Sequence, residues 1–357
     1  MATPEQTMPN TMPGSMPAPT MPNTTAQRFQ DGPLRHILTL DIGGSAVKYG
    51  LCNTLGELTA KGQKPTPNDA TTTVQDMVEI IASIHDEVKR QGLDFEGIAI
   101  SLPGCVFPGG FMYTGGALPY MYGQPFADLV EKRIGLRPTL ENDAKAAAAA
   151  ELWMGSLKGI QVGTVLILGT GLGGGIVIDG KVFQGPNGAA GELSNLVHLC
   201  DNFSGVRSCE AQNVSATGLV LRACDALGLE YRFTEDIHDR MIPIDGKKVF
   251  ELYHEGNEAI HQVITDFGFE TGKLIFNLCT VLNLQKVAIG GGISSQDCLI
   301  ESIKAGTDRA WAECPVRMYK PLVVFKPEIA VCEFHNDANL IGAMYQYLCA
   351  HPQAPQT

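Results

Sequence analysis

The 357-residue chain has no run of 18 or more apolar residues and no basic stretch leading into an apolar segment, so neither a membrane span nor a secretory leader is expected. Positive charge is scarce too. Against 38 Asp and Glu stand only 26 Lys and Arg, a net charge of -12 with no basic patch to offset it, which argues against nucleic acid or an anionic membrane as partner. The ten cysteines include no C-x-x-C pair, and Cys52, Cys105, Cys224, Cys279 and Cys332, far apart among apolar neighbours, are expected to be reduced core residues. The phosphate-binding pattern G-x-x-x-x-G-K-S/T is also missing. With 44% hydrophobic residues the chain can still fill two cores of ordinary domain size, and a cytoplasmic two-domain enzyme is the expectation.

Residues 1–34 repeat Thr-Met-Pro and Ser-Met-Pro units, at Thr7, Thr11, Ser15 and Thr20, without helical or alternating period, and are expected to be a disordered tail. Order is expected from His36. Ile37-Leu-Thr-Leu-Asp41 and Val47-Lys-Tyr-Gly-Leu51 read as two strands around a glycine turn. Apolar residues at three-four spacing predict a helix over 71–90, and Gly97-Ile-Ala-Ile-Ser101 predicts a buried strand. An alanine-rich helix is predicted between Asp143 and Gly155, with Asn142 or Asp143 available as cap. The second half then repeats the opening theme. Val165-Leu-Ile-Leu168 is a strand, Gly169 to Gly175 a glycine turn and Ile176-Val-Ile178 the return strand; a helix from about 257 to 284 leads to the strand Lys286-Val-Ala-Ile289 and a third glycine cluster, Gly290 to Gly292. Strands alternating with helices in this way predict α/β layers.

Each glycine cluster alone serves any tight turn, but three in one chain suit another purpose. A glycine turn lets backbone N–H groups approach a phosphate closely, and two facing hairpins can grip it from both sides. The letters G-x-G-x-x-G from Gly169 to Gly174 precede a strand, whereas the dinucleotide fingerprint requires a helix there.

Five segments, Asp41-Ile-Gly-Gly-Ser45, Glu141-Asn-Asp-Ala144, Gly169-Thr-Gly-Leu-Gly-Gly-Gly175, Gly188-Ala-Ala-Gly-Glu192 and Ile289-Gly-Gly-Gly-Ile293, stand in the order found in the ROK family (repressor, open reading frame, kinase). The chain resembles that family from His36 to about Leu348. The resemblance implies the actin-like ATPase (ribonuclease H-like) fold, a small lobe over about 36–150 with a C-terminal helix near 335–349 packing back on it, and a large lobe over about 151–330. It implies ATP and a small-molecule sugar in the cleft between the lobes, Mg²⁺ on the phosphates, and a homodimer. Position by position, Asp41 orients Mg²⁺ through water; Gly43, Gly44, Ser45 and Lys48 belong to one side of the phosphate site, Thr170 and Gly171 to the other, and Gly290 and Gly291 to the adenosine side. Asn142, Glu192 and Gly116 are implied as sugar contacts and Asp143 as the catalytic base. Phosphoryl transfer needs positioning, charge neutralisation and an acceptor for the hydroxyl proton, which a carboxylate supplies.

Asn195 stands where most members carry a histidine that touches both sugar and a structural zinc, and Cys209-Glu210-Ala211 departs from the usual Cys-x-Glu. His198, Cys200 and Cys209 make too few ligands for a tetrahedral site, so no structural zinc is expected, and Glu210 is a shifted candidate for the sugar contact. The loop Gly115-Gly116-Ala117 and the late Asn339 to Ala343 resemble the zinc-free β-glucoside kinase type. ATP-dependent phosphorylation of the 6-hydroxyl of glucose or a β-glucoside is expected. A non-catalytic sugar sensor and a kinase for an N-acetylated hexosamine stay open, whereas a DNA-binding repressor is disfavoured, because the proline-rich tail cannot form the helices that it needs.

Overall fold

The computed structural model describes residues 29, 32–198, 208–234, 240–315 and 323–352; residues 1–28 and 30–31 of the expected tail lie outside them, as does Cys200. Two five-stranded sheets organise the chain. The first is built from β1 (His36–Ile42), β2 (Ala46–Asn53), β3 (Leu58–Pro65), β4 (Gly97–Leu102) and β7 (Thr139–Asn142) in the order β3-β2-β1-β4-β7. The second is built from β8 (Gly163–Leu168), β9 (Leu172–Ile178), β10 (Lys181–Val182), β11 (Lys286–Gly290) and β12 (Glu328–Val331) in the order β10-β9-β8-β11-β12. In each sheet the opening three strands form an antiparallel meander and the first of them then pairs in parallel with the fourth. The topology is therefore the same twice, as the repeated theme of the sequence implies. A small hairpin, β5 (Val106–Phe107) with β6 (Phe111–Met112), stands apart.

Strand periodicity explains the layers. Leu38, Leu40 and Ile42 of β1 and Ile98, Ile100 and Leu102 of β4 point to one core with Met77, Ile81 and Ile84 of α1 (Val74–Arg90), whereas Ile37 and Ala99 point to the opposite side. Helix α1 starts three residues later than its apolar pattern suggests, because Thr73 caps it and Asp76 reaches back to the Thr73 N–H at 2.8 Å. A short helix, α2 (Phe126–Ile134), covers the same core. On the second sheet, α4 (Ala216–Leu227), α5 (Gly246–His254), α6 (Glu258–Leu282) and α7 (Asp297–Glu313) bury Phe267, Ile275 and Ile303 against Leu166, Leu168 and Ile289. Among the described residues no helix is long and apolar enough to cross a membrane. Cys52, Cys105, Cys224, Cys279 and Cys332 are all buried.

Two helices occupy the middle. The alanine run becomes α3 (Asp143–Trp153), in which every residue after Asp143 is buried, and it crosses α8 (Ala338–Ala350). Small side chains allow that approach: a Cβ on Gly342 of α8 would lie 1.7 Å from the Ala146 carbonyl oxygen. Beyond the crossing, Trp153 stacks on Tyr345 with ring centroids 5.6 Å apart. The glycine stretch after Gly169 differs from expectation. Gly173, Gly174 and Gly175 belong to β9 rather than to the turn, and α3 lies so close that a Cβ on Gly175 would come within 2.4 Å of the Ala148 Cβ. Gly173 and Gly175 serve helix-on-strand packing, Gly174 makes room for Gly191 and Leu193 on the other face, and the turn shrinks to Gly169–Gly171.

At the far end of α3, Glu151 is fully buried yet well supplied with donors. Its Oε2 accepts from the Ser156 N–H and hydroxyl, both at 2.8 Å, and its Oε1 accepts from the backbone N–H of Glu333 at 2.7 Å and of Phe334 at 3.3 Å. A carboxylate so satisfied ties α3 to the connection from β12 into α8.

Candidate active site

The carboxyl ends of the parallel strands from both sheets open into one cleft of about 750 Å³. Asp41 comes from the end of β1, Asn142 and Asp143 from the β7–α3 junction, Gly290 from the end of β11. Two glycine turns of opposite sheets border it, Gly43–Gly44 between β1 and β2, and Gly169–Gly171 between β8 and β9. The first turn is closed by the Gly43 N–H on the Ala46 carbonyl at 3.0 Å and braced by the Thr66 hydroxyl on the Gly43 carbonyl at 2.6 Å; the second is held by the Ala216 N–H on the Gly169 carbonyl at 2.9 Å.

The β7–α3 junction is fixed by capping. Asn142 Oδ1 accepts from the N–H groups of Ala144 and Lys145 at 3.0 and 3.2 Å, and its Nδ2 donates to the Gly104 carbonyl at 3.0 Å. Asp143, the first helical residue, accepts from the Ala144 N–H at 2.8 Å through Oδ1. Burial pushes its carboxyl up to about 6; Asp41 and Glu192 push the same way, and the Ala144 N–H and Lys145 oppose them. Glu141, one residue before Asn142, is buried and pushed up to about 7 despite accepting from the Asn142 N–H and from Gln184. Asp41 is likewise raised by burial, against the pull of Asn339, whose Nδ2 donates to Asp41 Oδ1 at 2.9 Å, and of Lys48 opposite it in the β1–β2 register.

Most of the residues singled out in the sequence meet here. Asp41, Gly43, Gly44, Gly116, Asn142, Asp143, Thr170, Gly171, Glu192, Asn195, Gly290 and Gly291 all line the cleft. Ser45, Lys48 and Glu210 do not. Ser45 is exposed on the turn and Lys48 approaches the cleft only through its charge on Asp41. Glu210 faces His198, whose Nδ1 lies 3.2 Å from Glu210 Oε1 and whose Nε2 lies 3.3 Å from Glu270 Oε2. Three further residues take part without a role read for them in the sequence: Asn339, which lines the cleft, and, just behind it, Glu141 and Lys145, whose buried ammonium is 3.4 Å from Glu192 Oε1.

Oxygen donors suit Mg²⁺, and Asp41 fits such a role: Asn339 engages its Oδ1, and the carboxylate stands at the cleft beside Gly43 and Gly44.

A model of the family described as ROK matches residues 37–348. The chain belongs to the ROK family. Among its relatives in this family, the glucokinase of Halalkalibacterium halodurans is 29% identical over 86% of this chain and 93% of its own length. The β-glucoside kinase of Klebsiella pneumoniae is 27% identical over 87% of this chain and 95% of its own. A ROK family glucokinase from Streptomyces griseus, solved with glucose and AMPPNP, superposes with a TM-score of 0.68 at 24% identity, over 86% of this chain and 97% of its own. The duplicated sheets described above are thus the actin-like ATPase fold of ROK proteins.

Proposed function

We propose that this ROK protein transfers the γ-phosphoryl group of ATP to a sugar hydroxyl, with Asp143 accepting the hydroxyl proton. The observation that carries this reading is the convergence, in one cleft, of a carboxylate pushed up to about 6 with glycine turns from two opposite sheets. The backbone N–H groups of Gly44, Thr170 and Gly171 face the phosphates, Asp41 would hold Mg²⁺, and Gly290 and Gly291 leave room for the adenosine. When bound, the metal neutralises charge on the phosphates. Asn142, Glu192 and Asn195 orient the sugar so that its hydroxyl oxygen faces the phosphorus in line. As that oxygen forms its bond to phosphorus, the bond from phosphorus to the bridging oxygen of ADP breaks and the proton passes to Asp143. The names of the two relatives favour glucose or a β-glucoside as the sugar, and its 6-hydroxyl is the acceptor proposed.

A coupled ADP-release assay with Mg²⁺, ATP and a panel of glucose, cellobiose, gentiobiose, N-acetylglucosamine and N-acetylmannosamine tests this. Turnover is expected with glucose or a β-glucoside; sugar binding without transfer anywhere on the panel would instead establish a sensor. The pH profile adds a second expectation. A base works deprotonated, and a raised pKa moves the pH at which it becomes ionised upward. So kcat/KM is expected to fall as pH drops below about 6, the value to which Asp143 is pushed, rather than below 4. An acid limb lying at the ordinary carboxylate range sinks the assignment of Asp143.

A further inference from the structure

Four carboxylates surround the start of α3. Asp41 comes from β1, Glu141 from β7, Asp143 from the helix itself and Glu192 from the loop after β9, and Gln184 and the Cys105 thiol stand with them. Against this negative charge the first turn of α3 offers one buried cation, Lys145. Its side chain is 1% exposed, and it interrupts a run of alanines, Ala144 and Ala146 to Ala150. Nothing in helix formation asks for a charge there, since alanine is the better helix former and a buried ammonium loses its hydration.

The ammonium is well placed. Nζ donates to the Gly188 carbonyl and lies 3.4 Å from Glu192 Oε1, so it grips both ends of the loop 188–192. The backbone N–H of the same residue donates to Asn142 Oδ1 at 3.2 Å, within the cap that sets Asp143 in place. One residue therefore joins the loop bearing Glu192 to the junction bearing Asn142 and Asp143.

We infer that Lys145 is a positioning residue: its ammonium locks the sugar-contacting loop 188–192 onto the helix that carries the base, so that hydroxyl recognition and proton acceptance share one fixed geometry. The inference rests on the kinase reading above. It assigns Lys145 no contact with substrate. Without the ammonium, Glu192 loses its partner and turns freely, the Gly188 carbonyl is left without its donor, and Asp143 loses a positive charge that favours its ionised form.

The test compares wild type with Lys145→Met and Lys145→Gln. Lys145→Gln retains a donor for Gly188 without charge, and takes over the comparison if Lys145→Met fails to fold. Expected are a rise of at least about tenfold in the KM for sugar with the KM for ATP little changed, and an acid limb of kcat/KM displaced upward. In a double-mutant cycle with Glu192→Gln, the losses are expected to be strongly non-additive. A Tm that falls while KM and the acid limb stay put, or additive losses, overturns the inference in favour of a packing role. Titration of the Asp143 carboxyl by ¹³C NMR, assigned with Asp143→Asn, needs no substrate and so separates failure here from failure of the kinase reading: an Asp143 that titrates at the same pH in wild type and Lys145→Gln overturns the inference even if no sugar is ever phosphorylated.

Discussion

Asp143→Asn is expected to lower kcat roughly 10²–10⁴-fold with the KM for sugar within a few-fold, and at the same time to make the folded protein more stable above pH 7. The two halves of this result share one cause. Asparagine is the same shape and still accepts from the Ala144 N–H, so the cap and the binding groups survive, but it cannot take a proton. The wild-type carboxyl, with its folded-state pKa raised by burial to about 6 from the ordinary 3.8, favours the fold fully only while protonated. That contribution is present below the unfolded value and is lost as pH rises through the folded value, leaving a cost of about 3 kcal/mol above it. Thermal melts at pH 8 and pH 4 check this against initial rates: a gain in Tm at pH 8 that vanishes at pH 4 is expected. A variant retaining a tenth of the activity, or a gain independent of pH, removes Asp143 from the role of base.

Gly342→Ala is expected to cost about 3 kcal/mol or more, measured by urea unfolding, although alanine is ordinarily the better helix former. The new Cβ would sit 1.7 Å from the Ala146 carbonyl oxygen, and backbone on both sides leaves nothing soft to move aside. Gly246→Ala, in the first turn of α5 where the nearest neighbour is 3.6 Å away, is the control and is expected to change stability by less than about 0.5 kcal/mol. Equal effects at the two positions would show that α3 and α8 slide apart at little cost, and with it that their crossing does not hold Asp143 in register with Asp41.

Local pattern made the paired sheets legible in the sequence. Alternation in β1 and β4, the three-four spacing of α1 and the alanine run of α3 each concern neighbours along the chain, and so does the Asn142 cap. The glycine run from Gly169 was half legible. Its composition marks a special backbone, but only the nearness of α3 shows that Gly173 and Gly175 make space for Ala144 and Ala148 rather than turn the chain. The rest of the site depends on contacts across long separations. Asn339 reaches Asp41 over 298 positions, and Lys145 reaches Glu192 over 47. Lys145 in particular looks, in one dimension, like any solvated helix lysine. For Glu210 the motif and the space around it say different things: its place beside Cys209 suggests the sugar, and in the fold it faces His198, away from the residues that line the cleft.

The twofold repetition of strand order has a consequence for how the molecule reports on its own shape. Each glycine turn is rigidly mounted on a separate sheet, and the proposed nucleotide site exists only where the two arrive at the right separation. The frame acts as a caliper whose jaws are copies of one another, while the object between them, with a sugar at one end and adenosine at the other, has no such symmetry. Corresponding positions in the two jaws must therefore diverge: the first strand of one carries Asp41 just before its end, the first strand of the other runs into Gly169 without an acid. Nucleotide affinity then serves as a gauge of the angle between two bodies, readable in any variant whose substitution lies far from the cleft.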